Sequence, residues 1–541
     1  MSTIMINLKL IFYLFVIFVT QVSSTALPHF LFGRSTKYGL NGFGERVYSI
    51  NRYGLEKHLE LEKLEKSDSN PYPDVQTGWF TNKVDHFDPN NQDTFQQFYQ
   101  YNSKYYQKSN VYDVIFMMVG GEDPISAKWV QEPEIQYIKM AEYHGAYIYQ
   151  LEHRFFGQSI PYGNMNMTNV KYFTTEQALE DLATFIKAAN ANFTNPRWVI
   201  FGGSYPGAMT AWFAAKYPSL YVGAVASSAP VELKLDFYEY AMVMQNTIKR
   251  EGQNCYDVVN ASFDALKKAT LTPQGRAHIN QIFNLQPSFN ESTLTQLDLT
   301  NFLANVFSVF QGIVQYTYDG RDDTTKNIYT TKTMCNMMIN SIGPLGYENI
   351  ASILRWTNQV YGMPVNSPLP NSYWDSIVEL RQTDYKFGDD DNTDAMAARG
   401  WMWLCCNEMG WLQTTDQGRN IFHQLIPLNF YVNMCTDIFD STVDITFIRD
   451  NNRKAIKFFG GADNYQANNV ILPNGNLDPW HALGTYKLDN TTHQYPYLID
   501  GTAHCGDMYP DYDGQPASLG PVRDYIRKTV SDFIKAGNEP W

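Results

Sequence analysis

The stretch Trp198-Val199-Ile200-Phe201-Gly202-Gly203-Ser204-Tyr205-Pro206-Gly207 decides the reading of this chain. An apolar run predicts a strand that ends in two glycines and a serine. Pro206 cannot continue a strand, but it suits the first turn of a helix, where its missing N–H is no loss. The helix continues through Ala208 to Lys216 and stops at Tyr217-Pro218, and a second apolar strand follows from Val222 to Ala226. Strand, sharp turn and helix are the setting of a nucleophile elbow, in which a serine hydroxyl projects above a sheet. Gly202 and Gly203 remove the β-carbons that such a turn would crowd. The run departs from G-x-S-x-G at its last position, where Pro206 stands and Gly207 comes one later.

A nucleophilic serine needs a base, and the base needs an orienting acid. On an α/β-hydrolase sheet the acid and then the histidine follow the serine in the chain. That order disfavours His29, His58, His86, His144 and His153, while His278 and His423 fall in a middle region that reads as an insertion. His493 lies in a polar run and reads as solvated. His504 follows the strand-like Tyr495 to Ile499 in a loop, as a triad base requires. Asp478 closes the apolar run that begins at Asn469, and it precedes His504 with room for a helix and a strand between them. His481, three residues beyond Asp478, reads as a loop or pocket residue. Asp500 reads as a strand-end cap and Asp507 as a surface carboxylate. The oxyanion hole is expected to use the Tyr205 N–H with a donor near Gly121 or Glu122.

Strands at Asp113 to Val119, Gly145 to Leu151, Trp198 to Phe201 and Val222 to Ala226 alternate with helices such as Glu176 to Ala189. This alternation predicts a mostly parallel sheet covered by helices. The organisation expected is a signal peptide over 1–26, a polar leader over 27–74, two α/β-hydrolase segments over 75–235 and 431–541, and a helical cap inserted over 236–430. Lys9 precedes the apolar run Leu10 to Val19, and the small residues Ser23 to Ala26 follow, which reads as a signal peptide rather than a membrane span. Sequons begin at Asn166, Asn192, Asn260, Asn290 and Asn490 and are expected to be glycosylated. The chain carries 41 basic and 55 acidic residues for a net charge of −14, which argues against nucleic acid and against an anionic membrane surface. Six cysteines behind a secretory leader predict disulfides, with 15 possible pairings. No paired C-x-x-C spacing appears, so a structural zinc is not expected. No cofactor is expected either. The aspartates at 389–391 read as a solvated loop.

Gly-Gly-Ser-Tyr-Pro-Gly around Ser204, Asn-Gly-Asn-Leu-Asp-Pro-Trp around Asp478 and Gly-Thr-Ala-His-Cys-Gly-Asp-Met around His504 resemble the triad motifs of the S28 serine peptidases. Further segments resemble the same family: Trp79 to Tyr99, Gly120-Gly121-Glu122, Leu151 to Pro161 and Cys406-Asn407-Glu408. The resemblance runs from about residue 75 to the C-terminus. Phe98 departs from it, because the family tends to place an arginine there. The resemblance implies an α/β-hydrolase fold with a cap and a serine peptidase acting after proline, of either carboxypeptidase or dipeptidyl-peptidase type. A helical cap over the serine is expected to close the cleft to folded proteins and make the enzyme an exopeptidase, and the leader predicts an extracellular or lysosomal location. The resemblance also implies the pairs Cys255–Cys335 and Cys406–Cys435, leaving Cys405 and Cys505 paired or free. Glu152, His153 and Arg154 are read as a buried ion-pair corner.

The implied substrates are peptides, and a homodimer is left open. A lipase or carboxylesterase using the same triad is the second reading, and a catalytically silent binding protein on this fold is the third. A cation facing the cleft would hold a substrate carboxylate, whereas an anion such as Glu408 would hold an ammonium. Trp356, Trp374, Trp401, Trp403 and Trp480 offer walls for a proline pocket, though each one alone reads as core.

Overall fold

The computed structural model of the chain describes residues 72–340, 343, 345–386 and 390–537, with two short strands, Phe30–Leu31 and Arg34–Ser35. The expected signal peptide and nearly all of the expected polar leader lie outside the described residues. Eight strands form the main sheet: β1 (Gln76–Lys83), β2 (Thr94–Asn102), β3 (Val114–Val119), β4 (Tyr147–Leu151), β5 (Arg197–Gly203), β6 (Gly223–Ser227), β7 (Val470–Gly475) and β8 (Gln494–Ile499). Their spatial order is β8-β7-β6-β5-β3-β4-β2-β1. The pairs β1–β2 and β2–β4 are antiparallel, and every other pair is parallel. This is the α/β-hydrolase fold.

The parallel strands are apolar on both faces because helices cover both. Val114, Phe116 and Met118 of β3 enter one buried cluster, and Ile115, Met117 and Val119 enter the other. The first cluster is closed by helices α1 (Gln136–His144) and α5 (Leu519–Ala536), through Ile138, Val522, Ile526 and Phe533. The second is closed by α2 (Thr175–Ala189) and α3 (Tyr205–Lys216), and it runs on into the inserted helices. Phe116 is fully buried, so truncating it to alanine would cost about 3–5 kcal/mol.

The chain leaves the sheet after Ser227 and returns at Val470, and the inserted segment is mainly helical. Its long helix α4 (Gln296–Gln315) is the one helix among the described residues long and apolar enough to cross a membrane, and 78% of its apolar window is buried inside the fold. Cys255–Cys335 and Cys406–Cys435 are disulfides within this segment, while Cys405 and Cys505 are free and buried. The expected solvated loop at 389–391 needs correction. Asp390 and Asp391 begin the helix Asp390–Leu404, and Asp389 is outside the described residues. Among the sequon asparagines, Asn192, Asn290 and Asn490 are exposed, and Asn166 and Asn260 are partly so.

Candidate active site

Ser204 stands between β5 and α3 with φ 66° and ψ −130°. A non-glycine residue at positive φ costs roughly 1–3 kcal/mol, so the surroundings must hold it. They do so through the backbone. The Ser204 N–H donates to the Ser227 carbonyl (3.0 Å), and the Ala208 N–H donates to the Ser204 carbonyl (2.9 Å). A β-carbon on Gly202 would collide with the Pro206 carbonyl, and one on Gly207 with the Ser227 carbonyl. Helix α3 therefore packs back against its own strand, as the glycine-rich turn implies. Tyr205 is the first helical residue, so its N–H has no acceptor within the helix.

Asp478 lies in the turn after β7, and His504 in the loop after β8. These strands are adjacent and parallel, which brings their C-terminal ends together. His504 Nδ1 and Asp478 Oδ2 are 2.7 Å apart, and both side chains are buried. The other Asp478 oxygen accepts the Trp480 N–H (3.0 Å), fixing the carboxylate plane. Burial disfavours the charged imidazole, but the Asp478 carboxylate outweighs it and holds the His504 pKa well above the usual histidine value. Nδ1–H donating to Asp478 leaves Nε2 of a neutral imidazole as the nitrogen able to accept a proton.

Ser204 and His504 line one cavity of about 410 Å³, together with Gly121, Glu122, Tyr316 and Arg321. The loop after β3 reaches it because Gly121 packs directly on the Pro206 ring, where a β-carbon would clash. Tyr205 and the nearby loop, the expected oxyanion donors, are thus at the same end of the sheet. Below the elbow, the Tyr205 hydroxyl contacts His153 Nε2 and Thr175 Oγ1, each at 3.0 Å. Glu408 in turn accepts from the Thr175 N–H (2.9 Å) and hydroxyl (3.0 Å). Glu408 is therefore a buried prop for the elbow and does not line the cavity as an anchor for an ammonium. Glu152, His153 and Arg154 form the expected buried corner. Arg154 pairs with Asp181 through two contacts of 2.6 Å, and Glu152 accepts from Ser159 (2.7 Å) and the Gln158 N–H (2.8 Å). Of the tryptophans, Trp401 and Trp480 join Trp411 in an aromatic group against Tyr205. Trp403 and Trp356 pack in the core region, and Trp374 is half exposed.

Asp507 is not a surface carboxylate. It is 4% exposed, and it accepts from the Ser227 hydroxyl at 2.5 Å. Arg523 of α5 is the reason: its guanidinium donates to the Gly506 carbonyl (2.6 Å), the Asp507 carbonyl (3.3 Å) and the Asp511 carboxylate (2.6 Å). This clamp draws the His504 loop inward. Asp500, at the end of β8, is exposed and binds Arg250 (2.8 Å) and Asn476 (2.6 Å). His481 donates to the Asp478 carbonyl (2.6 Å). His493 is partly buried, with its ring 2.8 Å from the Tyr495 hydroxyl. Gln315, at the end of α4, joins the inserted segment to His504. Its carbonyl accepts the His504 N–H (3.0 Å), and its side-chain oxygen accepts from Trp480 (2.8 Å) and Tyr240 (2.7 Å). Sequence reading missed Gln315, Arg321 and Arg523. Each is polar in an unremarked stretch, and only long-range packing brings it to the site.

Burial also sets how stability depends on pH. It raises the carboxyls of Glu152 and Glu408 to about 7 and those of Asp319 and Asp507 to about 6. In the unfolded chain these groups ionise near 4. The folded state therefore binds the extra protons, and its advantage is greatest in acid and declines as pH rises toward 6–7. Burial lowers His144 and His153 to about 4, so their stabilisation is present above about 6.5 and declines as pH falls. Four carboxyls oppose two imidazoles. The thermal midpoint, followed by scanning fluorimetry, is expected to be several degrees higher at pH 5 than at pH 7.5. An equal or higher midpoint at pH 7.5 would contradict this balance.

The sequence pattern of a family described as serine carboxypeptidase S28 matches residues 82–526. Protein F56F10.1 of Caenorhabditis elegans is 45% identical over 512 residues, which are 94% of this chain and 91% of its own. The thymus-specific serine protease of Mus musculus is 26% identical over 470 residues (85% of this chain, 87% of its own). The lysosomal Pro-X carboxypeptidase of Bos taurus is 25% identical over 464 residues (83% and 87%).

Proposed function

Because this chain belongs to the serine carboxypeptidase S28 family and is a serine-type peptidase, we propose that it is an exopeptidase that cuts after proline through Ser204, His504 and Asp478. The observation that carries this reading is the His504 imidazole, fixed by Asp478 at 2.7 Å and sharing a cavity with Ser204 on its strained elbow. In this mechanism the Ser204 hydroxyl attacks the scissile carbonyl, and His504 Nε2 accepts its proton. The oxyanion lies against the Tyr205 N–H and a donor from the Gly121–Glu122 loop. The carbon–nitrogen bond breaks as His504 returns the proton to the leaving amine. Water, activated by the same imidazole, then hydrolyses the acyl-enzyme. Asp478 holds the tautomer and stabilises the imidazolium in both halves.

Proline preference is supported by the apolar lining of the cavity, which includes Met118, Trp129, Met508 and Tyr509, and by the name of the Pro-X carboxypeptidase relative. That relative's lysosomal designation and the apolar N-terminal run support a place in the secretory pathway, either extracellular or lysosomal. The inserted segment reaches the base through Gln315, which fits a cleft closed to folded proteins.

The test compares p-nitrophenyl esters with proline-containing peptides, with and without a serine-directed phosphonate. Peptide hydrolysis, blocked by the phosphonate, is expected. Hydrolysis of esters alone would favour an esterase, and silence on both a binding protein. Rapid internal cutting of a long, doubly blocked peptide would overturn the exopeptidase assignment.

A further inference from the structure

A cation faces the cavity that holds Ser204 and His504. Arg321 lies on the loop after α4, with its side chain 21% exposed. Its Nε donates to the fully buried Asp319 carboxylate at 2.7 Å. Its guanidinium carbon is 3.5 Å from the Tyr316 ring centre and 5.3 Å from that of Tyr509. One ion pair and two aromatic faces thus fix the plane of the group. A guanidinium has five N–H donors. Asp319 engages the Nε edge, and no bond from the Nη pair to a described residue is present. Such a pre-oriented fork matches the two oxygens of a carboxylate.

Its position relative to the base decides what it could hold. His504 returns its proton to the leaving nitrogen, so the leaving group lies on the His504 side of the scissile bond. The Tyr316 ring is 6.3 Å from the His504 ring, and Arg321 lies on Tyr316. In a leaving group of one residue, the carboxylate carbon is two bonds from that nitrogen. An extended residue spans only about 3.3–3.6 Å. The base and the guanidinium are thus neighbours of one ring, and a leaving group as short as one residue suits a spacing of that kind. Arg321, Trp129 and Tyr509 also line an adjoining cavity of about 500 Å³, which gives a released amino acid somewhere to go. Glu122 and Asp123 line the catalytic cavity too, but on the loop that Gly121 seats against Pro206, beside the elbow.

We propose that Arg321 is the specificity residue that binds the free α-carboxylate of the substrate's C-terminal residue, so that the enzyme releases single C-terminal amino acids. This rests on the roles given above to Ser204, His504 and Asp478. The test uses the full chain and an N-blocked peptide ending in Pro-Phe, as the free acid and as the C-terminal amide. Wild-type kcat/KM is expected to favour the acid by about 10- to 100-fold, the range of charge-assisted hydrogen bonds. In Arg321→Ala that ratio should fall to near one, mainly through KM, and Arg321→Lys should keep part of it. Circular dichroism checks that the variants fold. Should Arg321→Ala leave Asp319 unpaired and unfold the chain, Arg321→Gln with Asp319→Asn removes both charges and takes its place. Equal cleavage of acid and amide by the wild type, or a folded variant that keeps the acid preference, would overturn the proposal. So would cleavage only of an X-Pro-nitroanilide with a free amine. Labelling of the wild type by an uncharged serine-directed phosphonate separates the two readings. Its absence sinks the serine mechanism, whereas labelling without acid preference sinks the Arg321 assignment alone.

Discussion

Ser204→Ala is expected to lower kcat by about 10⁴- to 10⁶-fold, the scale of triad serines, while KM for a proline-containing peptide changes little. The substitution removes the hydroxyl proposed as nucleophile and nothing else of size. The backbone bonds that hold the elbow, from the Ser204 N–H to Ser227 and from the Ala208 N–H to Ser204, do not involve the hydroxyl. Alanine at positive φ is no easier to hold than serine, so the fold should persist with slightly lower stability. Active-site titration with the phosphonate and steady-state rates on one preparation provide the check. Turnover above a tenth of wild type would show that Ser204 is not the nucleophile.

Asp478→Asn should cost roughly 10⁴ in kcat. The carboxylate now accepts from His504 through one oxygen and from the Trp480 N–H through the other. An amide can satisfy Trp480 through its oxygen and then presents its NH₂ to Nδ1. That favours the wrong imidazole tautomer and removes the charge that stabilises imidazolium. Loss of the charge should also bring the His504 pKa down, because the Asp478 carboxylate does most to raise it, with a smaller contribution from Cys505. Asp507→Asn is the control. Asp507 binds Ser227, not His504, so it should lose only a small part of that activity. If Asp507→Asn were the inactive variant and Asp478→Asn the active one, the acid would have to be reassigned.

The elbow could be read from sequence because its causes are local. Two glycines where a β-carbon would clash, a proline that can only begin a helix, and apolar strands on either side leave the chain one path through Ser204. The alternation of strands and helices specified a parallel sheet for the same reason, since each element's pattern lies within its own residues. Asp478 and His504 are picked out by order along the chain, and they lie 26 residues apart in the loops that follow two neighbouring strands. Packing across the sheet decided the rest. Asp507 reads as a surface residue in a glycine-rich loop, yet Arg523 and Ser227 bury it, and no local pattern encodes a guanidinium arriving from the C-terminal helix. Glu408 reads as an available anion, but Thr175, 233 residues away, takes its carboxylate. Arg321 sits in an ordinary polar loop, and only the closing of α4 over His504, through Gln315, puts its charge into the cleft. Sequence alone determined where the chain must turn and which groups have the chemistry for acyl transfer, because turn sterics act between neighbours. Which charges face the substrate was left to the tertiary structure, because burial and pairing join residues that are far apart in the chain.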